Sequence, residues 1–244
     1  MSGAGHSKGG RRTVVVTGGG VGLGREIAAG FAHDGYAVVG IGQAASPLGE
    51  TGAQIGGGRF DYRLADVSDA AAITELLASI ADAHGGIHAL ICAAATRREA
   101  HFLDMTEDEW VEAFLENVSG VNNCCRAVLP GMMERNDGRI VIVGSLADLT
   151  PEPGASAYCA SRAASRVIVR SLATEIDPER FPNVLINEVN YDAYDAAAPE
   201  SFYRSVKGVV DLPAGGPTGR IYLGPREIEV HAAPESIFGR LTGR

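Results

Sequence analysis

Two places in the chain carry residue types at spacings that could do chemistry. From Thr17 to Gly24 the sequence reads T-G-G-G-V-G-L-G, directly after the β-branched run RRTVVV and directly before an amphipathic stretch, Arg25 to His33, that Asp34-Gly35 ends. Glycines at such a junction let the backbone approach a pyrophosphate, and the N-terminus of the following helix offers free N–H groups and a partial positive charge to hold it. A turn needed only for tight strand–helix packing is the plain alternative. The second place is Tyr158 with Arg162 four residues on, following Ser145 at the end of an apolar run. Positions i and i+4 share a helix face, which puts the cation beside the phenol. A phenol with an ordinary pKa of about 10 is poor at acid–base work near neutrality unless such a cation stabilises the phenolate.

The elements that must position these residues alternate. RRTVVV, YAVVGIG, FDYRLA, IHALICA, RIVIVGS and NVLINEV read as strands, with Gly219 to Leu223 as an edge strand. Between them fall helices at Ala70 to Ala83, from Thr106 without interruption to about Met133, Tyr158 to Ile176 and Pro199 to Leu212; the T-E-D-E at Thr106 is a capping pattern. This order predicts an α/β fold, a single Rossmann-like doubly wound parallel sheet of about seven strands with helices on both faces. Residues 1–11 are expected to be a flexible N-terminus, 12–230 the one domain, and 231–244 a tail.

The chain has 244 residues and a formal net charge of −9, which speaks against nucleic-acid and anionic-membrane binding. No run of about 18 apolar residues exists, and the opening MSGAGHSKGGRR has no apolar segment of the kind that directs secretion, so a cytoplasmic protein is expected. Cys92, Cys124, Cys125 and Cys159 lack metal or disulfide spacing and read as packed, reduced thiols, and the six histidines are scattered, so no metal site is expected. Glycine, at 32 residues, is about twice the usual roughly 7%.

If the glycine turn binds a dinucleotide, its adenosine end lies beyond the second strand, where an acidic residue would select NAD and a basic one NADP. The sequence offers Gln43 and Ala44, with neither charge; Arg25 or the Arg11-Arg12 pair would have to reach a 2′-phosphate. The expectation is NADP, with NAD left open. Asp66, in A-D-V-S-D, is placed either to accept from an adenine amino group or to cap the next helix.

The TGxxxGxG loop, Ser145, and Tyr158 with a basic residue four positions on resemble the short-chain dehydrogenase/reductase family from about Arg12 to Ile221, and Met105 to Ser145 looks most like bacterial 3-oxoacyl-(acyl-carrier-protein) reductases. The resemblance implies a nicotinamide coenzyme on Gly18, Gly20, Val21, Gly22, Gly24, Gln43, Asp66, Val67, Ala93, Ala94, Tyr158 and Arg162. It also implies a substrate oxygen polarised by Ser145, Tyr158 as acid or base, Arg162 lowering the tyrosine pKa and binding ribose, and Asn117 ordering a proton-relay water. The chain departs from the family at four points. Arg162 stands for the usual lysine and cannot pass a proton on. Cys92-Ala93-Ala94-Ala95 replaces Asn-Asn-Ala-Gly, and Asn190-Tyr191-Asp192 replaces a Pro-Gly turn. Only Tyr191 to Ala198 stands where relatives place a helical lid over the substrate.

Two readings follow: an NAD(P)H-dependent oxidoreductase acting on a bulky or carrier-tethered ketone or secondary alcohol, or a family member that has lost chemistry and serves as the partner of an active homologue. A non-redox dehydratase or cyclase is a third. The two long helices, as in relatives, are expected to form a homodimer or homotetramer, or a hetero-oligomer with a homologue.

Overall fold

A computed structural model describes residues 11–191 and 199–229. The expected N-terminal arm up to residue 10, the tail from 230, and the shortened lid region 192–198 with Asp192, Tyr194 and Asp195 lie outside the described residues.

Among the described residues eight strands form one sheet in the order β3-β2-β1-β4-β5-β6-β7-β8. In chain order they are β1 (Thr13–Thr17), β2 (Ala37–Gly42), β3 (Phe60–Leu64), β4 (Ala89–Cys92), β5 (Gly138–Ser145), β6 (Val184–Tyr191), β7 (Ile221–Leu223) and β8 (Arg226–Glu227). All pairs are parallel except β7 with β8. The count exceeds the expected seven by β8, two residues that fold back after Gly224. Helices α1 (Gly22–His33), α2 (Ala45–Ile55), α3 (Ala70–His84), α4 (Glu107–Phe114), α5 (Gly120–Arg135), α6 (Ser156–Glu175) and α7 (Pro199–Val210) cover the sheet.

The core follows from the pleat, because alternate side chains of a central strand point to opposite faces. Val15, Leu90, Ile140 and Ile142 pack toward α3 and α5, whereas Val14, Val16, Ile91, Val141 and Val143 pack toward α1 and α7. All four cysteines are buried and free, and no group of three metal-ligating side chains occurs among the described residues. No described helix is long and apolar enough to cross a membrane.

Three local readings need correction. Helix α2 was not expected, because Pro47, Gly49 and Gly52 break its pattern; Pro47 sits in the first turn, where a proline removes no helical bond, and Leu48 and Thr51 are buried. The helix expected to run unbroken from Thr106 is broken: after α4 the chain makes a π-helical turn, Leu115–Ser119, before α5. Tertiary bonds of Asn117, described below, hold this turn, and periodicity carries no trace of them. The capping box of Thr106 with Glu109 is present. Finally, Asp66 does not cap α3. Asp69 does, accepting from the amides of Ala71 and Ala72, while Asp66, three residues upstream of it, accepts from the amide and hydroxyl of Ser68.

Candidate active site

Strand β1 pairs with β2 on one side and β4 on the other, and such a point of reversal opens a crevice at the carboxyl ends of the strands. The Thr17 hydroxyl, at the end of β1, accepts hydrogen bonds from the backbone amides of Ala93 and Ala94, each at 3.1 Å. Backbone groups thereby tie the two strand ends at the place where this chain carries Cys92 and Ala93 instead of the family's asparagines. Gly18 has φ +68°, and a Cβ there would lie 2.8 Å from the Ala94 nitrogen.

At Gly24, in the first turn of α1, a Cβ would lie 2.1 Å from the Gly18 carbonyl oxygen. The loop and helix can approach this closely only with glycine at position 24. Gly24→Ala must therefore open the loop, and it is expected to weaken dinucleotide binding by about 5- to 150-fold, the equivalent of 1–3 kcal/mol for overpacking, as read by coenzyme fluorescence titration. Val21 precedes α1 in extended conformation without a side-chain cap, and the first turn has no acidic residue. The open end of the helix dipole is left to an anion.

A cleft of about 560 Å³ runs from this loop past Gln43 and Ala44 to Tyr158, Arg162 and Tyr191. Gly18, Gly20, Val21, Gly22 and Gly24 line one end, and Val67, Ala93 and Ala94 its middle. The exposed Asp66 is adjacent in sequence but does not line the cleft. The residues fit a dinucleotide: a glycine cradle that a Cβ would fill, an uncapped helix N-terminus, and at the far end a buried guanidinium, Arg162, whose Nε has no hydrogen-bond partner among the described residues.

The cations offered for a 2′-phosphate are placed otherwise than the sequence suggested. Arg25 is committed to the Gly20 carbonyl at 2.9 Å, the Thr51 hydroxyl at 3.1 Å and the Glu50 carboxylate at 3.1 Å, pinning α1 to α2. Arg11 and Arg12 precede β1 and so lie at the opposite end of that strand from the cleft.

At the other end of the cleft, Tyr158 stands in the first turn of α6, 3% exposed. One turn on, the Arg162 guanidinium lies 5.0 Å from the Tyr158 ring centroid and donates to the Val143 carbonyl at 3.2 Å. A second guanidinium, Arg97, lies 5.4 Å from the same ring and is ion-paired with Glu99 and Glu152. The Tyr191 hydroxyl is 3.3 Å from that of Tyr158. Ser145, at the end of β5, is buried, and its hydroxyl accepts from the Ala147 amide at 3.2 Å. Burial pushes the Tyr158 pKa up, but the Arg162 charge and hydrogen bonds from Tyr191, Ser145 and Arg162 outweigh it and hold the phenol below its ordinary 10.0.

Asn117 is fully buried in the π turn. Its Oδ1 accepts from the Thr96 amide at 2.9 Å, and its Nδ2 donates to the Thr96 carbonyl at 2.9 Å and the Ser161 hydroxyl at 3.0 Å. Its backbone carbonyl accepts from the Ser165 hydroxyl at 2.5 Å. These bonds make Asn117 the tie between the segment after β4 and helix α6.

Several residues here escaped the sequence reading. Glu116 lines the cleft, and burial, with Asp66 and Glu112 nearby, raises its carboxyl pKa. Behind Ser145 a buried charge cluster centres on Arg166. Its Nη2 donates to the Ser145 carbonyl at 2.9 Å, its Nε to Glu188 at 3.0 Å, and Nη1 lies 2.6 Å from the Asp148 carboxylate. Asn190 completes it, accepting from Arg166 at 3.1 Å and donating to the Tyr222 carbonyl. One signal was available: Glu188 is the one carboxylate in the buried strand VLINEVNY, and such a charge requires a partner.

A cleft at the reversal point of a doubly wound sheet, with a glycine loop at one end and Tyr158, Arg162 and Tyr191 at the other, is the architecture of a dinucleotide-binding fold. The sequence matches the short chain dehydrogenase family over residues 12–200, and the chain belongs to that family of NAD(P)-dependent enzymes. It is 34% identical to oxidoreductase UcpA of Salmonella typhimurium over 167 residues, 67% of this chain and 63% of that protein's length. With the 3-oxoacyl-[acyl-carrier-protein] reductase FabG of Chlamydia trachomatis it shares 27% identity over 220 residues, 89% of this chain and 86% of FabG. The fold is similar to a crystal structure of serine dehydrogenase from Escherichia coli, with a TM-score of 0.78 and 29% identity over 86% of this chain and 96% of that one.

Proposed function

We propose that the protein reduces a ketone, or oxidises the corresponding secondary alcohol, with NADP or NAD as coenzyme. The observation that carries this reading is Tyr158 at the end of the cleft, its ring under the Arg162 guanidinium. The glycine loop and the N-terminus of α1 would hold the pyrophosphate, and Arg162 the nicotinamide ribose. When bound, the nicotinamide supplies or accepts the hydride.

The chain's own residues do the rest. Ser145 orients the substrate oxygen, and Tyr158 gives it a proton in reduction and takes one in oxidation, with Arg162 stabilising the phenolate. Oxidation requires the phenolate, so its rate is expected to rise with pH and to level off above a Tyr158 pKa lying below 10.0, the direction in which that group is shifted. The FabG relative supports a carrier-tethered keto substrate, whose remote contacts would position the reacting carbonyl.

NADP remains the reading for the coenzyme, because no carboxylate stands at Gln43 or Ala44 to repel a 2′-phosphate. With Arg25 and Arg12 placed elsewhere, the preference over NAD is expected to be within about tenfold, what one exposed charge contact supplies. Fluorescence titration with NADPH and NADH, followed by turnover of a ketone panel, tests both points. A much larger preference for either coenzyme would overturn the account of the adenosine end, and binding without turnover of any ketone would overturn the reaction.

The non-catalytic partner is the second reading, favoured by Arg162 in place of a proton-transferring lysine and by the Ser165 hydroxyl on the Asn117 carbonyl. For assembly we propose self-association through α4, the segment before it and the start of the π turn, where Phe102, Leu103, Trp110, Val111 and Leu115 are exposed.

A further inference from the structure

We infer that Tyr191 is a second catalytic phenol, a hydrogen-bond donor held on the oxygen of Tyr158 to stabilise the phenolate formed there. This deepens the reading of Tyr158 as the acid–base group and rests on it.

Position comes from the sheet. Tyr191 is the last residue of β6 and the register partner of Ser145 at the end of β5, so the two side chains emerge side by side at the carboxyl edge. Its ring packs edge-on against Phe202 of α7, centroids 6.1 Å apart, and it lines the cleft with Tyr158 and Arg162. The hydroxyl is thereby presented to Tyr158 at 3.3 Å.

Two phenols at this distance can share one hydrogen bond in either direction, and their surroundings decide which donates. The groups facing Tyr158 are Arg162 on its own helix, Arg97 from the segment after β4, Ser145 from β5 and Tyr191 from β6. Glu116, from the π turn, lines the same cleft, while the carboxylates of Asp148 and Glu188 are paired with Arg166 behind it. Both guanidiniums lie against the Tyr158 ring, so the negative charge belongs on Tyr158. Burial, joined by the hydrogen bond to Tyr158 and the charge there, pushes Tyr191 the other way, to about 12, so it keeps its proton across the working range. Tyr191 is therefore the donor and Tyr158 the acceptor.

Arg162 and Ser145 act on the same phenol, whereas Asn117 is committed elsewhere. Both functions of the Asn117 side chain bind Thr96 and Ser161, and the Ser165 hydroxyl occupies its carbonyl. In reduction, the Tyr158 O–H bond breaks as an O–H bond forms on the substrate oxygen. The phenolate left behind is held by the Tyr191 hydroxyl and Arg162 until it takes a proton from water entering the cleft. Tyr191 supplies the hydrogen bond rather than the proton, being the weaker acid.

The test is tyrosinate absorbance during a pH titration of the coenzyme-free protein, which needs no turnover, with the pH profile of alcohol oxidation beside it. One step of the wild-type titration is expected below those of the other tyrosines and to vanish in Tyr158→Phe. In Tyr191→Phe that step, and the rising limb of the oxidation profile, should move upward by about one pH unit, the worth of a hydrogen bond to a charged group. In case Tyr191→Phe fails to fold, 3-fluorotyrosine placed at 191, nearly isosteric and a stronger donor, should move the step downward. An unmoved step in the folded variants overturns the proposal. Ketone reduction with an unmoved profile would sink this inference and leave the reaction standing; a moved step with no ketone turned over would do the reverse.

Discussion

Replacing Tyr158 with phenylalanine is expected to cut ketone-dependent coenzyme oxidation by about 10²- to 10⁴-fold, the usual worth of a positioned general acid. The loss should fall on kcat, because the missing proton transfer belongs to the transition state and not to substrate binding. The ring should stay in place: it is fixed by Ala147, Ala155 and Cys159, and the guanidiniums of Arg97 and Arg162 lie against it, contacts that phenylalanine keeps. Dinucleotide affinity is accordingly expected to change little. Steady-state kinetics and coenzyme titration on the same preparation separate the two quantities, and a variant as fast as wild type would remove Tyr158 from the mechanism.

The largest stability effect is expected at Arg166→Met. Arg166, Asp148 and Glu188 are all at most 5% exposed, and removing one partner from a buried ionic cluster typically costs about 3–5 kcal/mol. For a chain of this size that is a melting temperature lower by roughly 6–20 °C. The two carboxylates left behind would be driven toward their protonated forms. Glu188 already leans that way, since burial raises its pKa more than Arg166 lowers it. The same guanidinium holds the Ser145 carbonyl, so the variant should also lose activity at temperatures where it is still folded. Thermal melts at neutral and mildly acidic pH check this: the deficit should shrink as the pH falls and the carboxylates take up protons. A deficit independent of pH would mean lost packing, not stranded charge.

These two residues also mark how far the amino-acid sequence could be read. The glycine turn, its strand and its helix were legible because they are local: strand, turn and amphipathic stretch follow one another in the chain. Tyr158 beside Arg162 was legible for the same reason, four residues on one helix face. The partners that come from elsewhere in the chain were not. Tyr191 reaches Tyr158 only through the β5–β6 register, and Arg166 meets Asp148 and Glu188 only when three elements converge. The π turn at Asn117 was hidden because bonds to Thr96, Ser161 and Ser165 override a helical pattern that continues on both sides. At Arg25 the residue type suggested a phosphate ligand, but α2, itself obscured by its proline and glycines, brings Glu50 against it. Asp66 and Asp69, three residues apart with the same side chain, show how a cap can be assigned to the wrong carboxylate when only spacing is known.

The central claim is that this cleft brings a nicotinamide and a carbonyl together beside Tyr158. It is tested most directly by incubating the protein with coenzyme deuterated at the transferring C4 position and a panel of bulky and carrier-tethered ketones, and analysing the alcohols by mass spectrometry. The account predicts one deuterium on the carbinol carbon of the product, formed by wild type and lost in Tyr158→Phe. Bound coenzyme with no deuterated alcohol from any ketone, or equal labelling by the two proteins, would contradict it.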